Sequence, residues 1–258
     1  MNTSLKAQLV AGRPSFGSWL QLGSLPVAEI MAAAGFDWLA IDLEHSAIGI
    51  ETACSLIQVV DLAGCAPLVR LSANDPVQTK RVMDGGACGV IVPAVQSAAE
   101  ARQAVDAVKY PPEGHRGVGL WRAPGYGARF TEYQQEYREA SIVIVMIEHR
   151  EGVEHAAEIV AVPGVDGAFI GPYDLSASYG VAGELTHPSV INAMDRVVEA
   201  AGEADKVAGI HVIHPPVTQV RDRLAEGFRM VAYGGDMLFL EPKAREALIS
   251  LRGFDDDA

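Results

Sequence analysis

Short, mostly apolar runs alternate with longer amphipathic stretches along this chain. The runs are Phe16–Leu20, Trp38–Ile41, Pro67–Val69, Gly89–Val92, Ile142–Ile147, Gly167–Ile170, Ala208–Ile213 and Met230–Ala232. Runs this short and this continuously apolar predict strands buried on both faces. Between them the apolar period changes to that of a helix. Ile50–Ala63 carries a stripe of Ile50, Ala53, Cys54, Ile57 and Val60, and Pro188–Ala201 one of Val190, Ile191, Met194, Val197, Val198 and Ala201. Punctuation marks other helices. Pro26–Ala34 has Pro in its first turn and Gly35 just past its end. Asn74-Asp75-Pro76 opens a helix that runs to Asp84, and Ser97-Ala98-Ala99-Glu100 is a capping box for a helix to Val108. Helices are also predicted over Val153–Val160, Pro215–Glu226 and Leu238–Leu251, with a first one, Ser4–Ala11, placed to cap one end of the fold.

Eight alternations of strand and helix predict a (β/α)8 TIM barrel, with residues 1–258 as a single domain. The competing architecture, a doubly wound sheet, lacks the expected GxGxxG after the first strand. One segment breaks the rhythm. Tyr110–Tyr137 holds Pro111, Pro112, Gly114, Gly117, Gly119, Pro124, Gly125 and Gly127 among several aromatic residues. It reads as a long loop, placed over the site or in a subunit contact.

Composition narrows the function classes. Among 258 residues the formal net charge is -13, which disfavours nucleic acid and anionic membrane as partners. The acidity is spread along the chain, apart from the tail Asp255-Asp256-Asp257. Cys54, Cys65 and Cys88 are odd in number and lack CxxC spacing, which fits a reducing cytoplasm better than a disulfide framework. The start has no apolar core of a signal peptide, and no run approaches the ~18–20 residues that span a bilayer.

Chemistry gathers at the strand ends. Asp42, Glu44 and His45 follow the second run, Arg70 the third, Glu148 the fifth and Asp174 the sixth. In a (β/α)8 barrel these carboxyl ends form the active-site mouth. Singly, each has a plainer explanation: solvated carboxylates, a satisfied histidine, an arginine paired with Asp42 or Glu44. Their convergence carries the reading. Glu148 and Asp174, on strands about 5 Å apart if neighbours, can share a cation. Two oxygen ligands suit a hard divalent metal such as Mg²⁺ or Mn²⁺ and leave positions for water and a chelating 2-oxo acid. Arg70 then faces a developing oxyanion, His45 moves protons, and backbone amides near Gly171, Tyr173 and Asp174 hold the substrate carboxylate. Lys6, Lys80, Lys109, Lys206 and Lys243 all fall outside the predicted strands. A Schiff-base mechanism, which needs a lysine in the barrel interior, is disfavoured. No GxSxG or P-loop is present.

The segments FDWLAIDLEH (36–45), VRLSANDPVQTKRVMDGG (69–86), VIVPAVQSAAEA (90–101), YPPEGHRGVG (110–119), IE (147–148) and GVDGAFIGPYDLSAS (164–178) resemble the class II, metal-dependent pyruvate aldolases of the HpcH/HpaI family. The resemblance covers nearly the whole chain. It implies reversible aldol cleavage of a 4-hydroxy-2-oxo acid to pyruvate and an aldehyde, with a divalent metal (Mg²⁺, Mn²⁺ or Co²⁺) and no organic cofactor. It also implies a homohexamer of paired subunits that swap the last helix. Carried over, Glu148 and Asp174 match metal ligands, Arg70 the enolate-stabilising residue, His45 and Asp84 an acid/base dyad, and Asp42 the carboxylate beside it. Asp84 has no such role on the residues alone. Leu43 stands where many members have Gly, Met146 where many have Gln, and Tyr173 where Ala is common. LWRAPGYG (120–127) differs from the form in the heptanedioate-cleaving members. These departures bear on the acceptor aldehyde more than on the chemistry. The alternatives are a related C–C lyase or oxaloacetate decarboxylase using the same enolate, and a non-catalytic 2-oxo-acid binding protein.

Overall fold

The computed structural model describes residues 4–213 and 216–253. Eight parallel strands close into a barrel in sequence order: β1 (Ser15–Leu20), β2 (Trp38–Asp42), β3 (Ala66–Arg70), β4 (Gly89–Val92), β5 (Ile142–Met146), β6 (Gly167–Ile170), β7 (Val207–Val212) and β8 (Met230–Tyr233). Pairing of Ser15 with Met230 and of Gly17 with Ala232 closes the ring. Around it lie α1 (Ser4–Val10), α2 (Leu25–Ala33), α3 (Ile50–Leu62), α4 (Pro76–Asp84), α5 (Ala98–Val108), α6 (Phe130–Ala140), α7 (Arg150–Glu154), α8 (Ala156–Val160), α9 (Pro172–Ser178), α10 (Pro188–Glu203), α11 (Thr218–Ala225) and α12 (Asp236–Gly253).

Both faces of the strands are buried, which explains their unbroken apolar character. One set of side chains packs under the helices. The other fills the barrel, with Trp19, Trp38, Leu68, Ile91, Ile144, Phe169 and Met230 among them. Glycines make room for the aromatic rings. A Cβ on Gly17 would stand 2.0 Å from the Trp38 ring, and one on Gly209 2.4 Å from Phe169. At the amino end, Leu5 and Leu9 of α1 join this inner cluster as a plug. Lys6 ties the plug down by pairing with Asp166 and donating to the Ser141 carbonyl.

The structure corrects the sequence expectation in two places. The segment predicted as one long loop ends in a helix, α6, because Tyr133, Tyr137 and Ala140 form a buried stripe hidden behind the Gly- and Pro-rich stretch. This segment joins the end of α5 to the start of β5 and so lies at the amino end of the barrel. It does not cover this chain's own mouth. The helix predicted over Val153–Val160 is broken at His155, which leaves helical geometry (φ -101°, ψ 12°) with its Nδ1 3.1 Å from the Gln96 carbonyl oxygen. The expected helix from Pro215 starts outside the described residues; its described part is α11. The acidic tail also lies outside them.

Candidate active site

At the end of β2 the Asp42 side chain is fully buried and saturated with donors. Its oxygens accept from Arg70 Nε at 2.8 Å and Nη2 at 2.6 Å, from the Glu44 and His45 amides, and from Gln21 Nε2 at 2.9 Å. Burial alone would raise its pKa. The Arg70 pair and the two amides outweigh that and hold the carboxyl below its ordinary value. An anion so fully engaged fixes its neighbours and has no lone pair left for a substrate proton. Asp42 thus holds the Arg70 guanidinium in place. The register of β2 and β3 makes this pair, placing Asp42 opposite Arg70. Arg70 also lies over Trp19, 4.4 Å from the ring centroid, and its Nη1 is 3.4 Å from Glu44 Oε2. A guanidinium held on one edge by a bidentate pair and on one face by an indole points its remaining N–H groups one way.

Glu148 follows β5 and is 9% exposed. Its Oε1 accepts from the Ala94 amide at 2.8 Å, and its Oε2 is buried without a hydrogen-bond partner. The donor comes from a left-handed backbone: Ala94 has φ 53°, unusual for a non-glycine residue and the kind of local strain that functional sites hold. Space for the carboxylate comes from Gly171, where a Cβ would stand 2.7 Å from Glu148 Oε2. Burial, then the charges of Glu44 and Asp174, push the Glu148 carboxyl up to about 7, against the pull of the Ala94 amide and Arg70. Glu44 is raised likewise, by burial and by Asp42 and Asp174, with Arg70 opposing. Its Oε2 is also buried without a hydrogen bond. Asp174 sits in the first turn of α9, exposed at the mouth. The Tyr173 and Asp174 amides of that turn have no intrahelical acceptor, as at any helix start.

Beside these groups lies a cavity of about 240 Å³, lined in part by Trp19, Gln21, His45, Arg70, Met146 and Asp174. Tyr173, 45% exposed, stands at its rim. The His45 side chain is 57% exposed, with Nε2 3.7 Å from Glu44 Oε2. No lysine lines the cavity among the described residues. The structure thus gathers Asp42, Glu44, His45, Arg70, Glu148, Gly171, Tyr173 and Asp174 at one mouth. Asp84 is elsewhere. It closes α4 at the amino end of the barrel and pairs with the buried Arg116, whose guanidinium stacks on Tyr110 and Tyr137 at 4.8 and 4.7 Å. Within one chain His45 and Asp84 do not meet. The sequence reading also missed Gln21, Ala94 and Asp236. Ala94 acts through its backbone and leaves no side-chain signal. Gln21 and Asp236 act across 21 and 215 positions of sequence.

Two carboxylates near enough to repel, Glu148 and Asp174, one with an orphaned buried oxygen and a raised pKa, are a donor set short of a positive charge. That fits a hard divalent cation. Among the described residues no group of three or more His, Cys, Asp or Glu forms a closed cage, so remaining ligands would come from water and substrate. A family model described as HpcH/HpaI aldolase/citrate lyase matches residues 15–242. A 4-hydroxy-2-oxo-heptane-1,7-dioate aldolase of Shigella sonnei is 44% identical over 256 residues, 98% of this chain and 96% of the relative. An HpcH/HpaI aldolase/citrate lyase family protein from Burkholderia cenocepacia J2315 has a TM-score of 0.91 and 36% identity, covering 97% of this chain and 99% of its own. An HpcH/HpaI aldolase from Desulfitobacterium hafniense DCB-2 has a TM-score of 0.89 and 32% identity, covering 96% of each chain. The match runs from β1 into α12 and takes in every strand that shapes the mouth: the chain belongs to the HpcH/HpaI aldolase/citrate lyase family.

Proposed function

We propose that this protein catalyses metal-dependent, reversible aldol cleavage of a 4-hydroxy-2-oxo acid to pyruvate and an aldehyde. The observation that carries it is the orphaned, buried oxygen of Glu148, within reach of the charges of Glu44, Asp174 and Arg70. Glu148 and Asp174 hold the divalent metal, which when bound supplies Lewis acidity to the 2-oxo group. The Tyr173 and Asp174 amides bind the substrate carboxylate. Arg70, immobilised by Asp42 and Trp19, donates to the oxygen that gains negative charge as the C–C bond breaks and the pyruvate enolate forms. His45, open to the cavity, takes the proton of the 4-hydroxyl in cleavage and returns it in addition.

Asp84 reaches a His45 across a subunit contact, so the dyad belongs to an oligomer. A homohexamer is the assembly we propose. It is supported by Leu240, Leu248, Ile249 and Leu251 of α12, exposed by 47–65% and in need of a partner surface. The cytoplasm is the proposed compartment. No helix among the described residues is long and apolar enough to cross a membrane.

Pyruvate release, followed through a coupled dehydrogenase, tests the reading. Chelation is expected to abolish release from a 4-hydroxy-2-oxo acid, and Mg²⁺, Mn²⁺ or Co²⁺ to restore it. Full turnover by demetallated protein, or no release with any metal, contradicts it.

A further inference from the structure

Gln21 is the first residue after β1, and it is tied at both ends. Its backbone amide donates to the Asp236 carboxylate at 3.1 and 3.0 Å. Its side-chain Nε2 donates to Asp42 Oδ2 at 2.9 Å. The second bond decides which way the amide faces. Asp42 is ionised and can only accept, so the nitrogen must turn toward it. The carbonyl oxygen, Oε1, is left on the other side, and Gln21 lines the reaction cavity. Gly235 places no side chain against that oxygen; a Cβ there would stand 3.6 Å from it. Gln21 is half-buried, and Trp19, Met146, Met237 and Leu238 make part of the cavity wall apolar, beside the polar Arg70, His45, His211 and Asp174.

A fixed acceptor in the wall of a cavity favours a ligand that brings a donor to it. A ligand with a methyl group at that point leaves the carbonyl desolvated and unpaired, and that asymmetry is how polar groups discriminate in binding sites. We propose that Gln21 Oε1 selects acceptor aldehydes bearing a hydroxyl group close to the carbonyl over their alkyl isosteres. The inference rests on the aldolase reading and names the substrate class of the same site. It adds no chemical step. The C–C bond still forms between the enolate carbon and the aldehyde carbon, the aldehyde oxygen still takes the proton, and the selected hydroxyl keeps its own.

Glycolaldehyde and propanal, which differ by a hydroxyl in place of a methyl, provide the test. The kcat/KM of each with pyruvate is measured for wild type and Gln21→Met, with saturating Mn²⁺. The ratio of glycolaldehyde to propanal is the readout. Wild type is expected to favour glycolaldehyde, and the ratio should fall about five- to tenfold in Gln21→Met. Comparing ratios separates recognition from positioning, because a disturbance passed through Asp42 to Arg70 slows both aldehydes alike. An unchanged ratio, with both rates reduced together, overturns the proposal and leaves Gln21 as a support for Asp42. Wild type without a preference for the hydroxyl overturns it too, even if the variant fails to fold. Failure of the aldolase reading looks different: no aldehyde condenses, and pyruvate methyl protons do not exchange with solvent.

Discussion

Three unlike features shape the Glu148 site: the Ala94 amide that donates to it, the missing side chain of Gly171 that makes room for it, and the two carboxylates whose charges add to burial in raising its pKa. Its titration gives a prediction with a definite sign. Its ordinary pKa of 4.5 rises to about 7 in the fold. In metal-free protein the native state therefore holds the proton more tightly than the unfolded chain between those values. The stability this contributes is full below pH 4.5 and is lost as pH rises through about 7. The same proton competes with a cation. Mn²⁺ affinity measured by calorimetry should weaken about tenfold per pH unit below about 7; an affinity flat from pH 8 to 6 contradicts the assignment. Gly171→Ala drives a methyl into Glu148 and should cost metal affinity while leaving the fold intact. Arg70→Ala should lower kcat by about 10²-fold or more, and Arg70→Lys should restore little, since an ammonium cannot make the Asp42 fork. Steady-state kinetics check both; a stable Arg70→Ala protein with normal kcat would make Arg70 a structural residue. Most of this mouth was legible in the sequence because each residue directly follows a buried run. Gln21 and Ala94 were not, since one acts through a contact distant in sequence and the other through its backbone alone.

The elements around the barrel divide by how they are anchored. Asp236, at the start of α12, is 4% exposed and accepts from the Gln21, Leu22 and Met237 amides. It fastens the last helix to the end of β1. Asp236→Ala leaves those amides without their carboxylate and should cost about 2–4 kcal/mol in urea unfolding; a change under about 0.5 kcal/mol would show the clamp to be idle. Beyond this clamp α12 is exposed from Leu240 onward. The helix itself was readable from its apolar content, and its lack of an intrachain surface was not, because periodicity says which face is apolar and not what covers it. The α6 stripe was hidden for a related reason. Tyr133 and Tyr137 are four apart, but they follow a run of Gly and Pro that reads as loop. At the split of α7 from α8 the His155 ring meets the Gln96 carbonyl, a contact between residues 59 apart.

At the scale of the molecule, the alternation of strand and helix determined the barrel and, through it, the mouth. The proposed dyad cannot form within one chain, because Asp84 and His45 lie at opposite ends of the same barrel. Light scattering should give a mass near six times 27.4 kDa, and removal of residues 241–258 should leave a folded but smaller species. A clean monomer of the full chain at micromolar concentration contradicts the assembly. The central claim is that this mouth makes a pyruvate enolate, and one measurement addresses it without any aldehyde. With pyruvate and saturating Mg²⁺ in D₂O, proton NMR should show the methyl signal decay with wild type and persist with Asp174→Ala. His45→Ala should still exchange while failing in aldol cleavage, if its proton is the one at the 4-hydroxyl. A wild-type protein that leaves the methyl signal intact contradicts the account.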